Sequence, residues 1–295
     1  MVLTPTSSNY SVSVSEVSPQ MITQAEDILN QFTDNPRKDN SLLEQLFALL
    51  PRKMKNVADY LLPADAEPEQ IQNVIDRETD LLRMMETQMQ ALPSNDSKEK
   101  TLLEEWNLSI TPVNNEKELR QIKRHMGHSA DCFSKAFRVK NSNRDNAFWN
   151  YYDKHNYHKE DIHYWYHGSR NMNCLSILHN GLILNPKAPK VGHMFGYGIY
   201  LAPKAKKSIG YTSLNGSFWV HGTSDTAYLF VMKTVYKSPY HVYTWTSGMK
   251  SLTKSRISPH DAVFAHAGTS LRNDEVVIFD DAQVTLQYII ELKQQ

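Results

Sequence analysis

From residue 160 onward the chain consists of short β-rich runs: IHYWYH (162–167), AYLFVMKTV (227–235), HVYTW (241–245), EVVIF (275–279) and QVTLQYIIEL (283–292). In the last of these, Val284, Leu286, Tyr288 and Ile290 alternate with Thr285, Gln287 and Ile289, the period-two pattern of a half-buried strand. Upstream, LSITPV (108–113) reads as another strand, and a helix is expected from about Asn115 to Met126 with Gly127 as its stop. A chain with this many short strands must bury them in sheets, which sets the fold class of its larger part as α+β.

The first hundred residues have a different texture. Residues 1–18 are rich in Ser and Thr and read as a disordered tail. From residue 19 the pattern turns helical. Ser41 with Glu44 three residues later reads as a capping box opening SLLEQLFALLP (41–51), which Pro51 closes. The strongest helical pattern covers 71–92, where Ile75, Leu82, Met85, Met89 and Leu92 fall on one face. Its methionines read as core filler rather than ligands. The stretch 63–70 reads as a loop and LPSNDSKEK (92–100) as a polar linker. The expected organisation is a tail over 1–18, a helical domain over 19–104 and a strand-rich domain over 105–295.

Charge follows the same division. Residues 1–105 hold 9 Lys/Arg and 18 Asp/Glu, and the remainder holds 23 and 14, so a net of zero hides an acidic front and a basic back. Either the basic part meets a phosphate-bearing ligand or the two parts complement each other. An acidic front part disfavours a nucleic-acid-binding role for it. The longest apolar runs are far too short to cross a bilayer, and no basic stretch precedes an apolar core at the N-terminus. Cys132 and Cys174 are the only cysteines, too few for a disulfide framework, so an intracellular location, nuclear or cytoplasmic, is expected.

Several familiar chemistries fail on spacing. His167 and Ser169 stand two apart in YHGSR (166–170), but no G-x-S-x-G elbow surrounds them, which excludes a serine hydrolase. HNYH (155–158) and HYWYH (163–167) offer paired histidines without H-E-x-x-H or C-x-x-C, so no metal is expected. FGYGIYLA (195–202) lacks the third glycine of a dinucleotide fingerprint and sits in no βαβ unit. Gly196 and Gly198 still permit a ligand to approach the backbone closely.

Three blocks carry a resemblance: YHGSR (166–170), GHMFGYGIYLAPKAKKSIGY (192–211) and LRNDEVVIFDDAQVTLQYIIELK (271–293). In this order they resemble the catalytic domain of the poly(ADP-ribose) polymerases over roughly 105–295, and 20–98 is more diffusely similar to that family's helical regulatory domain. The resemblance implies packed, mainly antiparallel sheets with short helices. It implies NAD as substrate and His167, Tyr200 and Glu275 as the catalytic triad. By the same resemblance His167 holds the adenine-side ribose, and Gly168 offers backbone hydrogen bonds to the nicotinamide amide. Ser208 completes that amide clamp, and Tyr200 and Tyr211 sandwich the ring. Ser169 and Lys207 join the NAD-binding set, and Glu275 serves the nicotinamide-side ribose and the acceptor. Taken singly, each residue is an ordinary strand histidine, edge aromatic or strand-end charge; the conjunction of three blocks in order decides.

The implied activity is transfer of ADP-ribose to protein acceptors, the chain itself included, with elongation to a polymer. Transfer of a single unit and a non-catalytic NAD or ADP-ribose binder are the alternatives. Two positions depart from the family pattern. Ile183 stands where many members place a pyrophosphate-binding arginine, leaving Lys187 or Lys190 as substitutes, and Asn273 stands where the nuclear polymerases carry a tyrosine. A second His-Gly, at His221, lies after both motifs and reads as a loop residue.

Overall fold

The computed structural model describes residues 17–33, 35–50, 57–90, 101–184 and 194–294, together with the short strands β1 (Val2–Leu3), β2 (Ser11–Ser13) and β3 (Arg52–Lys53). The expected linker 92–100 and the lysines at 187 and 190 lie outside the described residues. The described residues form two compact units, one within residues 2–90 and one within residues 101–294.

In the first unit β2 pairs antiparallel with both β1 and β3, so part of the segment expected to be a structureless tail is hydrogen-bonded. Three helices follow: α1 (Pro19–Leu29), α2 (Pro36–Leu49) and α3 (Pro68–Gln90). Helix α1 packs on the other two. Ile22, Ala25 and Leu29 of α1, Leu42, Leu43 and Leu46 of α2, and Ile71, Ile75, Leu81, Leu82 and Met85 of α3 are buried. Each large aliphatic side chain so removed from water contributes about 1.5–3 kcal/mol before entropy is counted. Helix α3 thus begins ahead of 71, Met85 is core as expected, and Met89 is only half-buried.

The capping box expected at Ser41 is not the start of α2. Asn35 caps it instead, its side chain accepting from Lys38 N–H at 3.4 Å, with Pro36 in the first helical position. Ser41 lies inside the helix. The fully buried Asp39 carboxylate reaches back to accept from the N–H groups of Thr33 at 2.9 Å and Asn35 at 3.1 Å. It satisfies two amides of the connecting turn from one turn further along, which outweighs the weaker local signal at Ser41.

The second unit holds two sheets. The five-stranded sheet has the order β4 (Leu108–Pro112), β5 (Phe133–Asn141), β12 (Val284–Lys293), β8 (Thr226–Val235), β6 (Ile162–Gly168), and all its pairs are antiparallel. The four-stranded sheet has the order β7 (Ile199–Leu201), β11 (Glu275–Ile278), β10 (Ala262–Ala265), β9 (Pro239–Val242), antiparallel except for the parallel β9–β10 pair. Short helices connect them: α4 (Leu102–Glu105), α5 (Glu116–Met126), α6 (Ser142–Lys154), α7 (Cys174–Asn180), α8 (Ala205–Ile209) and α9 (Lys254–Ile257). This is the α+β, mainly antiparallel fold that the resemblance implies. As expected, Asn115 caps α5 and Gly127, at φ 59°, ends it.

Two expectations for strands change. HVYTW contributes only its first two residues, at the end of β9. Strand β12 is not half-buried: Thr285 and Ile289 are buried along with Val284, Leu286 and Ile290. A register shift between Leu286 and Tyr288 breaks the alternation, and α6 packs against β12. Burial of Thr285 is tolerated because its hydroxyl donates to Asp145 of α6 at 2.7 Å.

Replacing Asp39 by Ala leaves two turn amides without an acceptor, and we expect the opening free energy of the α1–α2 amides to fall by about 1–3 kcal/mol. Hydrogen exchange reads this directly; unchanged protection would make the buried carboxylate a bystander.

Candidate active site

A backbone bridge joins the two sheets of the second unit beside the candidate site. Tyr166 of β6 and Ala202, just after β7, exchange both backbone hydrogen bonds, each 2.9 Å. That pair puts His167 and Gly168, at the end of β6, beside Tyr200 in the middle of β7. The His167 ring is fixed by Nδ1, which lies 3.1 Å from the Tyr200 carbonyl oxygen. A carbonyl only accepts, so Nδ1 carries a proton, and in the neutral ring Nε2 is the acceptor nitrogen.

Strand β7 pairs with β11, Tyr200 opposite Val277. Residues directly opposite share a face, and so do residues two apart, so Tyr200 and Glu275 project from the same face of the sheet. Burial pushes the Tyr200 phenol well above its ordinary range, the Phe195 N–H opposes this in part, and the Glu275 carboxylate adds a lesser upward push. The phenol is therefore neutral, and both its bonds are internal. It donates to the Gly196 carbonyl at 2.8 Å and accepts from Phe195 N–H at 2.9 Å. The turn it holds needs glycine: Gly196 has φ 81°, and a Cβ there would sit 2.0 Å from the Leu252 carbonyl oxygen.

Helix α8 completes the cluster. Lys207 forms an ion pair with Glu275, and the two side chains are only 10% and 12% exposed. Desolvation makes each such charge expensive alone, so removing either partner strands the other. Ser208, buried, is next in sequence. Its carbonyl oxygen lies 1.7 Å from where a Cβ on Gly168 would be, so β6 and α8 touch backbone to backbone, a spacing that only glycine permits.

His167, Gly168, Tyr200, Lys207, Ser208 and Glu275 are thus joined by direct contacts. Tyr211 adjoins them through its N–H, which donates to the Ser208 carbonyl at 3.0 Å. Its ring, 38% exposed, stacks on Trp219, 5.8 Å between centroids and 19° between planes. Ser169 turns to α7, its hydroxyl accepting from Asn173 Nδ2 at 2.7 Å. Ile183 is 50% exposed, Asn273 is half-buried, and His221 is an exposed loop residue at φ 45°. Of the paired histidines, His155 and His163 have ring nitrogens within hydrogen-bonding distance of the carbonyls of Tyr151 and Tyr236. Among the described residues no three His, Cys, Asp or Glu side chains form a metal-holding group. Sequence reading singled out neither Trp219 nor Leu252, because each acts through a contact between loops that no local pattern encodes.

Residues 116–294 match the family model of the poly(ADP-ribose) polymerase catalytic domain. The chain belongs to that family. Among curated poly(ADP-ribose) polymerases, that of Drosophila melanogaster is 31% identical over 147 residues, 43% of this chain and 15% of its own length. Poly(ADP-ribose) polymerase 1 of Gallus gallus is 31% identical over 153 residues, 43% of this chain and 14% of the relative. Poly(ADP-ribose) polymerase 2 of Arabidopsis thaliana is 25% identical over 225 residues, 64% of this chain and 34% of the relative. The matched region therefore spans about a seventh of the fly and chicken polymerases.

Gly168→Ala drives a methyl group into the Ser208 carbonyl, so β6 or α8 must shift. We expect a loss of about 1–3 kcal/mol in unfolding free energy, as for overpacked interiors. Gly248 serves as control: a Cβ there would meet nothing within 4 Å, so it should accept alanine nearly silently. Denaturant midpoints compare the two; equal midpoints would mean that β6 and α8 do not depend on their close approach.

Proposed function

We propose that this chain transfers ADP-ribose from NAD to protein acceptors, itself among them, with release of nicotinamide, and elongates the product to a polymer. The observation that carries the reading is the cluster itself. Three motifs far apart in sequence contribute His167, Tyr200 and Glu275 to one neighbourhood, in a chain of the poly(ADP-ribose) polymerase family.

The chemistry asks for these groups. The bond between the nicotinamide nitrogen and the ribose anomeric carbon breaks, its electron pair leaves with nicotinamide, and the sugar becomes cationic. A carboxylate aimed at that cation stabilises it as in glycoside hydrolysis, and a single well-placed group of this kind is worth about 3 kcal/mol. Glu275 has that role. It also draws on the acceptor nucleophile, whose new bond forms at the anomeric carbon as its proton departs to the carboxylate. Lys207 holds Glu275 in place through their ion pair. His167, with Nδ1 bound to the Tyr200 carbonyl, offers Nε2 to a hydroxyl of the adenine-side ribose. Gly168 and Ser208 clamp the nicotinamide amide by backbone and hydroxyl groups, and Tyr200 and Tyr211 stack its ring. Ser169 joins the NAD-binding set. The reading invokes no metal, since departure of a neutral nicotinamide needs no Lewis acid.

A single-unit transferase is favoured by one observation: Asn273 replaces the acceptor-side tyrosine of the nuclear polymerases. An intracellular compartment fits the free thiols of Cys132 and Cys174. No helix among the described residues is long and apolar enough to cross a membrane.

Incubation with labelled NAD followed by a denaturing gel separates the readings. A high-molecular-weight smear means polymer, a sharp band means one unit, and absence of label means a binder. Glu275→Gln should keep NAD affinity within a few-fold and abolish the smear; polymer formation at the wild-type level would remove Glu275 from the mechanism.

Small flat amides test the clamp. Ser208→Ala should weaken 3-aminobenzamide roughly ten- to a hundredfold, the result of an unmet buried amide worth about 1–3 kcal/mol. His167→Ala should leave this probe nearly untouched while damaging NAD binding, because only NAD carries the distal ribose. Equal losses of the amide in both variants would overturn the placing of His167.

A further inference from the structure

The run Ser217-Phe218-Trp219 lies in the connection between α8 and β8 and belongs to no helix or strand. It leaves two large aromatic side chains in water, Phe218 at 59% and Trp219 at 39% exposure. Exposed aromatics placed side by side call for a reason. Their contacts supply one, because they run in an unbroken series from Tyr211 toward the loop that precedes Glu275.

Trp219 lies against the Tyr211 ring, near-parallel and offset. Its backbone N–H donates to the Gly210 carbonyl at 2.9 Å, so the Trp219 main chain is tied to the residue directly before Tyr211. Gly210 is shaped around it: a Cβ there would stand 3.0 Å from Trp219 Cδ1. Gly210 has φ −59°, which any residue adopts, so crowding and not backbone conformation favours glycine. Phe218 meets Trp219 edge-on, with centroids 4.6 Å apart and planes at 88°. The Arg272 guanidinium stands 5.8 Å from the Phe218 ring centroid, in reach of a cation–π contact. Arg272 is three residues before Glu275.

We propose that Trp219 is a positioning residue for the nicotinamide stack: it holds the Tyr211 ring ready, and Phe218 with Arg272 braces it against the acceptor-side loop. This rests on the reading of Tyr211 given above. An exposed tyrosine exchanges rotamers in picoseconds to nanoseconds, and a ligand that stacks on it must first order it. An indole packed against one face does that ordering in advance. Trp219 touches no substrate in this arrangement; it acts through Tyr211. None of the three sequence blocks that carry the family resemblance includes Phe218 or Trp219, so the brace is a feature read from this chain alone.

The test titrates 3-aminobenzamide and NAD against the full chain and its Tyr211→Ala, Trp219→Ala, Trp219→Phe and Gly210→Ala variants, with thermal melting alongside. Trp219→Ala should weaken 3-aminobenzamide about three- to tenfold, the range for a lost aromatic pair, and raise KM for NAD more than it lowers kcat. Trp219→Phe should recover most of the affinity, since a flat ring is what the brace requires. Gly210→Ala, which crowds the indole at 3.0 Å and the Lys207 carbonyl at 3.2 Å, should fall between wild type and Trp219→Ala. Weak binding by Tyr211→Ala with normal binding by Trp219→Ala would overturn the proposal alone. Normal binding by Tyr211→Ala would overturn the stacking role of Tyr211 and the proposal with it. A loss that Trp219→Phe does not rescue also overturns the proposal, and Gly210→Ala decides the matter should Trp219→Ala fail to fold.

Discussion

Two backbone hydrogen bonds between Tyr166 and Ala202 bring β6 and β7, one strand from each sheet of the second unit, together at the site. His167 and Gly168 follow Tyr166 directly. Tyr200 precedes Ala202 by two residues, and α8, with Lys207 and Ser208, begins three residues after it. Glu275 arrives through the register of β11 on β7. His167, Gly168, Tyr200, Lys207, Ser208 and Glu275 all lie within a few residues of that junction or on a strand paired to it, and Tyr211 is reached through the end of α8. Side chains on rigid strands are held more accurately than side chains on loops, which matters for a reaction that depends on placing one carboxylate beside a transient cation.

Electrostatics in the cluster follows from burial. A neutral phenol suits Tyr200, whose hydroxyl is wholly engaged in bracing the 195–196 turn. The charges brought inward there are opposite and adjacent, Lys207 and Glu275. Each is the other's counter-charge, so neither is left alone in the low-dielectric interior.

Much of this was legible in the sequence, and the failures have physical causes. Strands β4, β6, β8, β11 and β12 and the motif blocks could be read because apolar, β-rich runs and a fixed order of blocks are local signals, whereas β5, β7 and β10 were not read. The start of α2 could not, since Asp39 reaches back to the turn from inside the helix, a contact that local propensity does not encode. The burial of both faces of β12 was hidden for a similar reason. Thr285 looks like a solvent residue until Asp145 of α6 arrives to accept its hydrogen bond. In the site, the residue types were readable but their mutual bracing was not. Neither the Lys207–Glu275 pair nor the Trp219 stack has a sequence period, for each joins segments that meet only in the folded chain.

The seclusion of the Lys207–Glu275 pair bears on how the protein responds to ionic strength. Pairs such as Arg138–Glu118 and Lys254–Asp280 have one partner at least half exposed, and mobile ions at physiological concentration screen such contacts over about 8 Å. Salt has little entry to a pair whose side chains are about nine-tenths covered. As the medium grows more saline, the rim of the domain loses its electrostatic adhesion while the carboxylate at the centre keeps its counter-charge. The inner machinery is thereby insulated from the ionic composition of its surroundings, and any salt sensitivity of the whole is set at its surface.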